Sequence, residues 1–434
     1  MSQSPPQVDG LPLAGNIHQA IDPLEFGERC RDVSSPVVRG RIGPQTIYVV
    51  LDPNLVERVL STENDRYRKT EMIRSSIDDS FEGYLTPDVI SALRQAWQPI
   101  LTMDRLQEYG RRVSHLVTEF WDRWADGEIR DAHREFRGLC LRLACELLLE
   151  EESSVSVGEY TSMVDGISQK YAPRKVLLDQ LLPDWTPTAT NRAYRGARDR
   201  LHEFLDQLLA DQDPDGECLL AELLRLEADP ESPVSRSEVR NELGVLLVGA
   251  LEPLAVGLAC ACQCVATSER VQAGLQQEAD RVLDGDHATI DHVTELQRAE
   301  RAFRETLRLY PPLYTMFRET RDDVTLGGYE LESDAQVWLS QWAIHRNPQN
   351  FDRPETYLPS RWQGNHDRAQ FAYFPFGGGP RHCPSRRLSI LVAKLTLATM
   401  ARRFEITAEA EQPEFRPELA LRPVDGIGLS VTRR

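Results

Sequence analysis

The chain has 434 residues, is 41% hydrophobic and carries a formal net charge of -18. That acid excess argues against nucleic acid and anionic membranes as partners, because both would repel it, though a local arginine patch can still dock an acidic protein. Residues 1–10 show neither the basic nor the apolar region of a signal peptide, and no uninterrupted apolar run reaches the ~18–20 residues of a membrane span, so a cytoplasmic protein is expected.

In chain order, 37–41 and 46–51 read as strands of a hairpin around Gly43-Pro44, and a helix is expected to start near Asp52-Pro53. From 88 to 268 the pattern is mostly helical, with apolar residues at helical spacing over 104–124, 137–149, 191–209 and 236–266. Gly/Pro/Asp clusters at 211–217 and 229–233 separate these segments. The stretch 243–265 is long and apolar but contains Glu252, Pro253 and Gln263, which suits a buried helix. Another helix over 295–309 stops at Pro311-Pro312. Strand-like pieces follow at 323–326, 329–331 and 335–339, then a turn-rich stretch over 347–367. A glycine-dense loop at 376–383 leads into an apolar helix over 386–404, and the last thirty residues suggest a small terminal hairpin. No linker or fixed-period repeat divides the chain, so a single mainly α domain over 1–434 with a small β part is expected.

Eight cysteines show no disulfide framework. Cys260, Cys262 and Cys264 share a helix, where the middle one points away from the other two, and they read as small apolar core residues. Cys383 differs. It ends the run Phe374-Pro-Phe-Gly-Gly-Gly-Pro-Arg-His-Cys383-Pro, in which glycines permit torsions other residues resist and let backbone approach a flat ligand. A helix start beside it favours a charged sulfur, and Arg381 adds a cation for a carboxylate. Such a sulfur beside a carboxylate clamp is what axial ligation of haem iron by cysteine requires. A nucleophilic cysteine with His382 as its base, or a phosphate loop, are the alternatives; the second lacks the Lys-Ser or Lys-Thr it needs.

At these residues the chain resembles the cytochrome P-450 superfamily, soluble bacterial type, over nearly its whole length. The family's cysteine signature falls on Phe376, Gly379, Arg381 and Cys383, with Ser385 in place of its final glycine. Glu305-Thr-Leu-Arg308 matches the family's Glu-x-x-Arg, and Arg361 follows at the expected distance. The resemblance implies a single-domain P-450 fold, with a helix-rich part and a small β subdomain. Haem b would lie between the long distal helix and the cysteine loop, ligated by Cys383. It further implies a buried charge network of Glu305, Arg308 and Arg361. Arg94, Arg318 and Arg381 would hold the haem propionates, with Ile90 where the family usually places one more donor.

The helix over 236–266 resembles the family's distal helix, which usually reads Ala or Gly, Gly, any residue, Asp or Glu, then Thr. Here it reads Gly249-Ala250-Leu251-Glu252-Pro253. The resemblance implies that Glu252 helps deliver protons, but the threonine hydroxyl is replaced by Pro253. A proline inside a helix removes a hydrogen bond, costs ~3 kcal/mol or more and kinks it. The expectation is a groove in which the freed Gly249 carbonyl anchors a water and a substrate hydroxyl or amine completes the relay. A harmless kink is the plain alternative.

Pocket candidates are Ile73, Ile77, Phe81, Leu247, Ala250, Leu313, Thr315 and Met316, mainly apolar and suited to a terpenoid, polyketide or aromatic peptide-derived ligand. Because no flavin or ferredoxin domain is fused, the resemblance implies a separate ferredoxin and ferredoxin reductase, docking near Arg381, Arg386 and Arg387. The leading expectation is an NAD(P)H-driven monooxygenase of specialised metabolism, acting as a monomer on an apolar natural product. Loss of the threonine keeps radical coupling, desaturation, rearrangement or peroxide-driven chemistry open. A haem sensor or carrier without turnover is the alternative of another class.

Overall fold

Aspartates start the first helices. Asp22 and Asp52 accept hydrogen bonds from backbone N–H groups one turn on, opening α1 (Pro23–Asp32) and α2 (Pro53–Glu57), each with proline at its first position. In this computed structural model the described residues are 4–10, 15–16, 22–42, 45–70, 86–149, 156–172, 186, 188–210, 216–364 and 368–434. Between the two helices, β1 (Val37–Ile42) and β2 (Gln45–Val50) pair antiparallel with Val37 opposite Val50, the hairpin expected from the sequence. A π-helical stretch, Arg58–Thr62, extends α2 toward β3 (Tyr67–Arg68).

The helical part follows as α3 (Pro87–Ala96), α4 (Met103–Asp122), α5 (Ala132–Ala144), α6 (Val157–Ser168), α7 (Ala189–Ala210), α8 (Leu219–Ala228) and the central α9 (Arg236–Ala266), with the short β4 (Arg130–Asp131) before α5. Then come α10 (Glu269–Val282) and α11 (Gln297–Leu309). The helix expected over 137–149 begins earlier, at Ala132, because Asp131 caps it through the His133 and Arg134 N–H groups. Its first turns are rich in charge, which masks the apolar spacing in the sequence.

The β part comprises β5 (Thr315–Thr320), β6 (Val324–Leu326), β7 (Tyr329–Leu331) and β8 (Gln336–Ser340), followed by the one-turn α12 (Gln341–His345). Its largest sheet runs β1-β2-β8-β5-β3. Strand β5 was not expected, since its buried Arg318, Glu319 and Thr320 hide any alternation; it lies between β8 and β3 and is covered by both. The chain closes with α13 (Arg386–Arg403), β9 (Phe404–Ala408), the hairpin β10 (Phe415–Pro417) and β11 (Leu421–Pro423), and β12 (Gly428–Arg433), which pairs with β9.

Aromatic packing fills the helical core: Phe120 stacks on Phe136 at 4.7 Å, and Trp121 and Trp124 are fully buried beside them. Cys260, Cys262 and Cys264 lie inside on α9, where burial pushes their thiols up, as core residues should. Helix α9 is also the one helix among the described residues long and apolar enough to cross a membrane, and 72% of its apolar window is buried in the protein.

The hydrogen-bond ladder of α9 is interrupted where the proline predicts trouble. It runs as α over Arg236–Gly244, as π over Val245–Ala250, and as α again from Leu251. Pro253 is therefore third in the restarted segment. Backbone N–H groups in a first turn have no helical acceptor, so a missing one there costs little. A π stretch inside a helix is a frequent mark of a functional site.

Candidate active site

The cysteine loop is held by its own backbone. Gly377 N–H donates to the Phe374 carbonyl at 2.8 Å, Cys383 N–H to the Phe376 carbonyl at 2.9 Å, and His382 N–H to the Gly379 carbonyl at 3.1 Å. Gly377 and Gly379 have φ of 69° and 66°, the left-handed region that favours glycine. At Gly379 a side chain would run into the Leu60 carbonyl, and at Gly378 into the ring of Phe371. At these two positions the space a side chain would need is taken by neighbouring protein. Ser385 is the N-cap of α13, and its Oγ lies 3.4 Å from Cys383 Sγ.

Cations converge beside this sulfur. Arg94, at the end of α3, donates to the His382 carbonyl at 2.6 Å, next to the cysteine. Arg318 is buried on β5 and donates to the Phe317 carbonyl at 2.8 Å. Desolvation, and then the charge of Arg381, hold Arg318 below the usual arginine value, at about 10. Desolvation lowers Arg381 as well, followed by the charges of Arg321 and Arg94. No described carboxylate lies within ion-pair distance of Arg94, Arg318 or Arg381.

A fourth cation was missed in the sequence. Strand β3 pairs Arg68 with Glu319 of β5, and Lys69 is the residue that follows it. Desolvation, then Arg318 and Arg381, bring the Lys69 amine down to about 7. Arg318 is buried with the charge of Arg381 against it and no described carboxylate within ion-pair distance, which raises the energy of the fold. A dianion beside Cys383 would relieve that repulsion, so the residues present fit haem, with Cys383 as ligand and the cations on its propionates.

Glu305, Arg308 and Arg361 meet in one buried network, the arrangement that the resemblance implies. Arg308 grips Glu305 with Nε at 3.1 Å and Nη2 at 2.9 Å, and Arg361 Nε reaches Oε1 at 2.8 Å. Trp362 Nε1 and Leu358 N–H complete the carboxylate's partners. The surplus positive charge is absorbed by carbonyls: Arg308 donates to His345 and Pro354, and Arg361 to Asp352 and Arg353. The network pins the turn-rich stretch over 347–362 to α11. It also steadies the cysteine loop, because His345 Nε2 accepts from Phe374 N–H at 3.1 Å.

On α9, Glu252 is turned into the protein. His133 Nε2 lies 2.9 Å from one carboxylate oxygen and Arg137 Nε 2.6 Å from the other. Burial alone would raise its pKa; the hydrogen bond and charge of His133, with Arg137, overcome this and hold it at about 2. Glu252 so placed is an ion held by Arg137 and His133, with no proton to give, and a delivery role needs one of these contacts to open. Sequence reading missed His133 and Arg137, whose i, i+4 spacing on α5 is the only signal they carry.

Of the pocket candidates, Ile73, Ile77 and Phe81 lie outside the described residues. Leu247 is buried, and Ala250 is partly so, both in the π stretch of α9. Leu313, Thr315 and Met316 run along the chain into β5. Met316 Cε would lie 3.1 Å from a Cβ placed at Gly377, which puts β5 against the cysteine loop.

The family model described as Cytochrome P450 matches residues 5–430. The chain is 28% identical over 418 residues to a cyclooctatin synthase of Streptomyces melanosporofaciens, covering 92% of this chain and 88% of that protein. It is 26% identical over 428 residues to a pentalenene oxygenase of Streptomyces avermitilis, covering 95% and 92%. A retinoic acid bound cyanobacterial CYP120A1 superposes over 100% of both chains with a TM-score of 0.86 at 20% identity, which shows a common fold.

Proposed function

The chain belongs to the cytochrome P450 family of haem-thiolate monooxygenases, and on that premise we propose that it hydroxylates a largely apolar terpenoid in specialised metabolism. The observation that carries the chemistry is the meeting of Cys383 with Arg94, Arg318 and Arg381, a sulfur ligand beside cations with no described carboxylate within ion-pair distance. Haem with a thiolate ligand supplies activation of oxygen with external electrons. Support for the substrate class comes from full-length likeness to proteins named for cyclooctatin and pentalenene, together with the apolar Leu247, Ala250, Leu313 and Met316.

The residues of this chain divide the work. Cys383 would hold the iron, and Arg94, Arg318, Arg381 and Lys69 would orient the propionates. Glu305, Arg308 and Arg361 fix the floor of the site. On the oxygen side Pro253 has no hydroxyl, so the Gly249 carbonyl anchors a water and a hydroxyl on the substrate completes the proton path. Glu252 keeps the charge of the α9 break fixed through His133 and Arg137. Electrons arrive from a separate acidic ferredoxin, itself reduced by a ferredoxin reductase, at the exposed Arg386 and Arg387.

A ferric absorption titration of the purified protein with free terpenoids, free aromatic metabolites and carrier-bound acyl or peptidyl ligands tests the substrate. A shift toward high spin with a free terpenoid, followed by a hydroxylated product under turnover, is the expected result. A shift only with aromatic or carrier-bound ligands overturns the terpenoid assignment. It would favour the second reading, an atypical coupling or desaturation, for which the missing threonine hydroxyl and the paired Glu252 speak.

A further inference from the structure

We infer that Ser385 donates a hydrogen bond from its hydroxyl to the sulfur of Cys383, making it a positioning residue that tunes the axial thiolate of this enzyme. The oxygen lies 3.4 Å from Sγ, within hydrogen-bond range for sulfur. Either atom could donate while the cysteine is a thiol, but a thiolate ligand carries no proton, so with iron bound the hydroxyl is the donor.

Both partners are fixed from their backbones. The Ser385 carbonyl accepts from Ser389 N–H at 2.8 Å as α13 begins, and the Cys383 N–H is already committed to the Phe376 carbonyl at 2.9 Å. The cysteine's own amide therefore does not serve its sulfur, and the serine side chain reaches it from two residues on. The family signature places glycine at this position, which has no side chain to offer. The departure from glycine at Ser385 thus adds a donor to the ligand atom.

The consequence follows from charge. A donor on the thiolate draws electron density away from the iron, stabilising the reduced state relative to the oxidised one and weakening the electronic push of the sulfur. Two departures from the family pattern then act on opposite faces of one site: Pro253 removes a hydroxyl from the oxygen side, and Ser385 adds one on the sulfur side.

The inference rests on Cys383 as the axial ligand, and one set of variants separates the two claims. Ser385→Ala, Ser385→Gly and Ser385→Thr are purified with haem, and the reduction potential and ferrous carbon monoxide spectrum of each are recorded. Ala and Gly should lower the potential by roughly tenfold in the reduction equilibrium, about 59 mV for a one-electron couple, and move the Soret band. Thr, which keeps the hydroxyl, should stay near wild type. Ala and Gly at the wild-type potential, or Thr shifted as far as Ala, would overturn the Ser385 assignment. A wild-type spectrum without a thiolate-shifted band would overturn the ligand assignment together with it.

Discussion

Arg137 Nε donates to Glu252 Oε2 across 2.6 Å in the protein interior, while its Nη2 lies 2.8 Å from Asp165 on α6. One guanidinium thus ties the central helix, beside its π break, to a helix of another layer. Asp165 in turn meets Arg422 of the terminal hairpin at 2.8 Å. Buried charges linked this way are costly to separate, because each removal strands a partner without water.

Replacing Glu252 by Gln should therefore destabilise the protein at neutral pH by about 3–5 kcal/mol, read by denaturant unfolding. The pH dependence has a definite sign. Folding depresses this carboxyl from 4.5 to about 2, so its stabilisation is present above the unfolded value and is lost as pH falls toward 2. The loss is on the order of 3 kcal/mol. Glu252→Gln should lack that part of the acid dependence; an unchanged acid limb would show that the carboxylate is not held as an ion.

Arg318 gives a prediction in which two readouts move in opposite directions. Arg318→Leu removes a buried cation that Arg381 repels, so the haem-free protein should become more stable. The haem-bound protein should release haem faster, by on the order of tenfold for one lost charge-assisted bond. Unfolding of the haem-free form and transfer of haem to a scavenger protein measure the two. Loss of stability in both forms would mean that the arginine is structural and holds no propionate.

Much of this site is legible along the chain and part of it is not, for a geometric reason. Cys383, Phe376, Gly379 and Arg381 sit in one loop, and Glu305 and Arg308 in one helical turn, so their spacing alone carries the pattern. Lys69 comes near Arg318 only once β3 has paired with β5, which no spacing along the chain foretells. His133 and Arg137 on α5, Asp165 on α6 and Arg422 on β11 come from three separate elements and meet only once the chain is packed. Strand β5 escaped for a similar reason, since its consecutive Arg318, Glu319 and Thr320 are all buried once the chain is packed, so no polar and apolar alternation marks it.

Glu305→Ala would leave Arg308 and Arg361 facing each other in the core, with only carbonyls for partners. A loss of about 3–5 kcal/mol is expected, with poor haem incorporation because the stretch over 347–362 and the cysteine loop lose their anchor. Wild-type haem content and stability in this variant would remove the network from the account.

Pro253→Thr restores an N–H and a hydroxyl at the π-to-α junction of α9. The variant should convert a larger share of consumed NAD(P)H into product, most of all with substrates that lack a hydroxyl near the oxidised carbon. The ratio of product to NAD(P)H consumed reports this. An unchanged ratio for every substrate would show that the position has no part in the proton path.

The central claim, that Cys383 is the thiolate ligand of a haem enzyme, is tested most directly by the ferrous carbon monoxide spectra of wild type and Cys383→Ser at matched haem content. The account predicts the red-shifted Soret band of a thiolate complex in wild type and its loss in the variant. The same band in Cys383→Ser, or its absence from wild type, would contradict it.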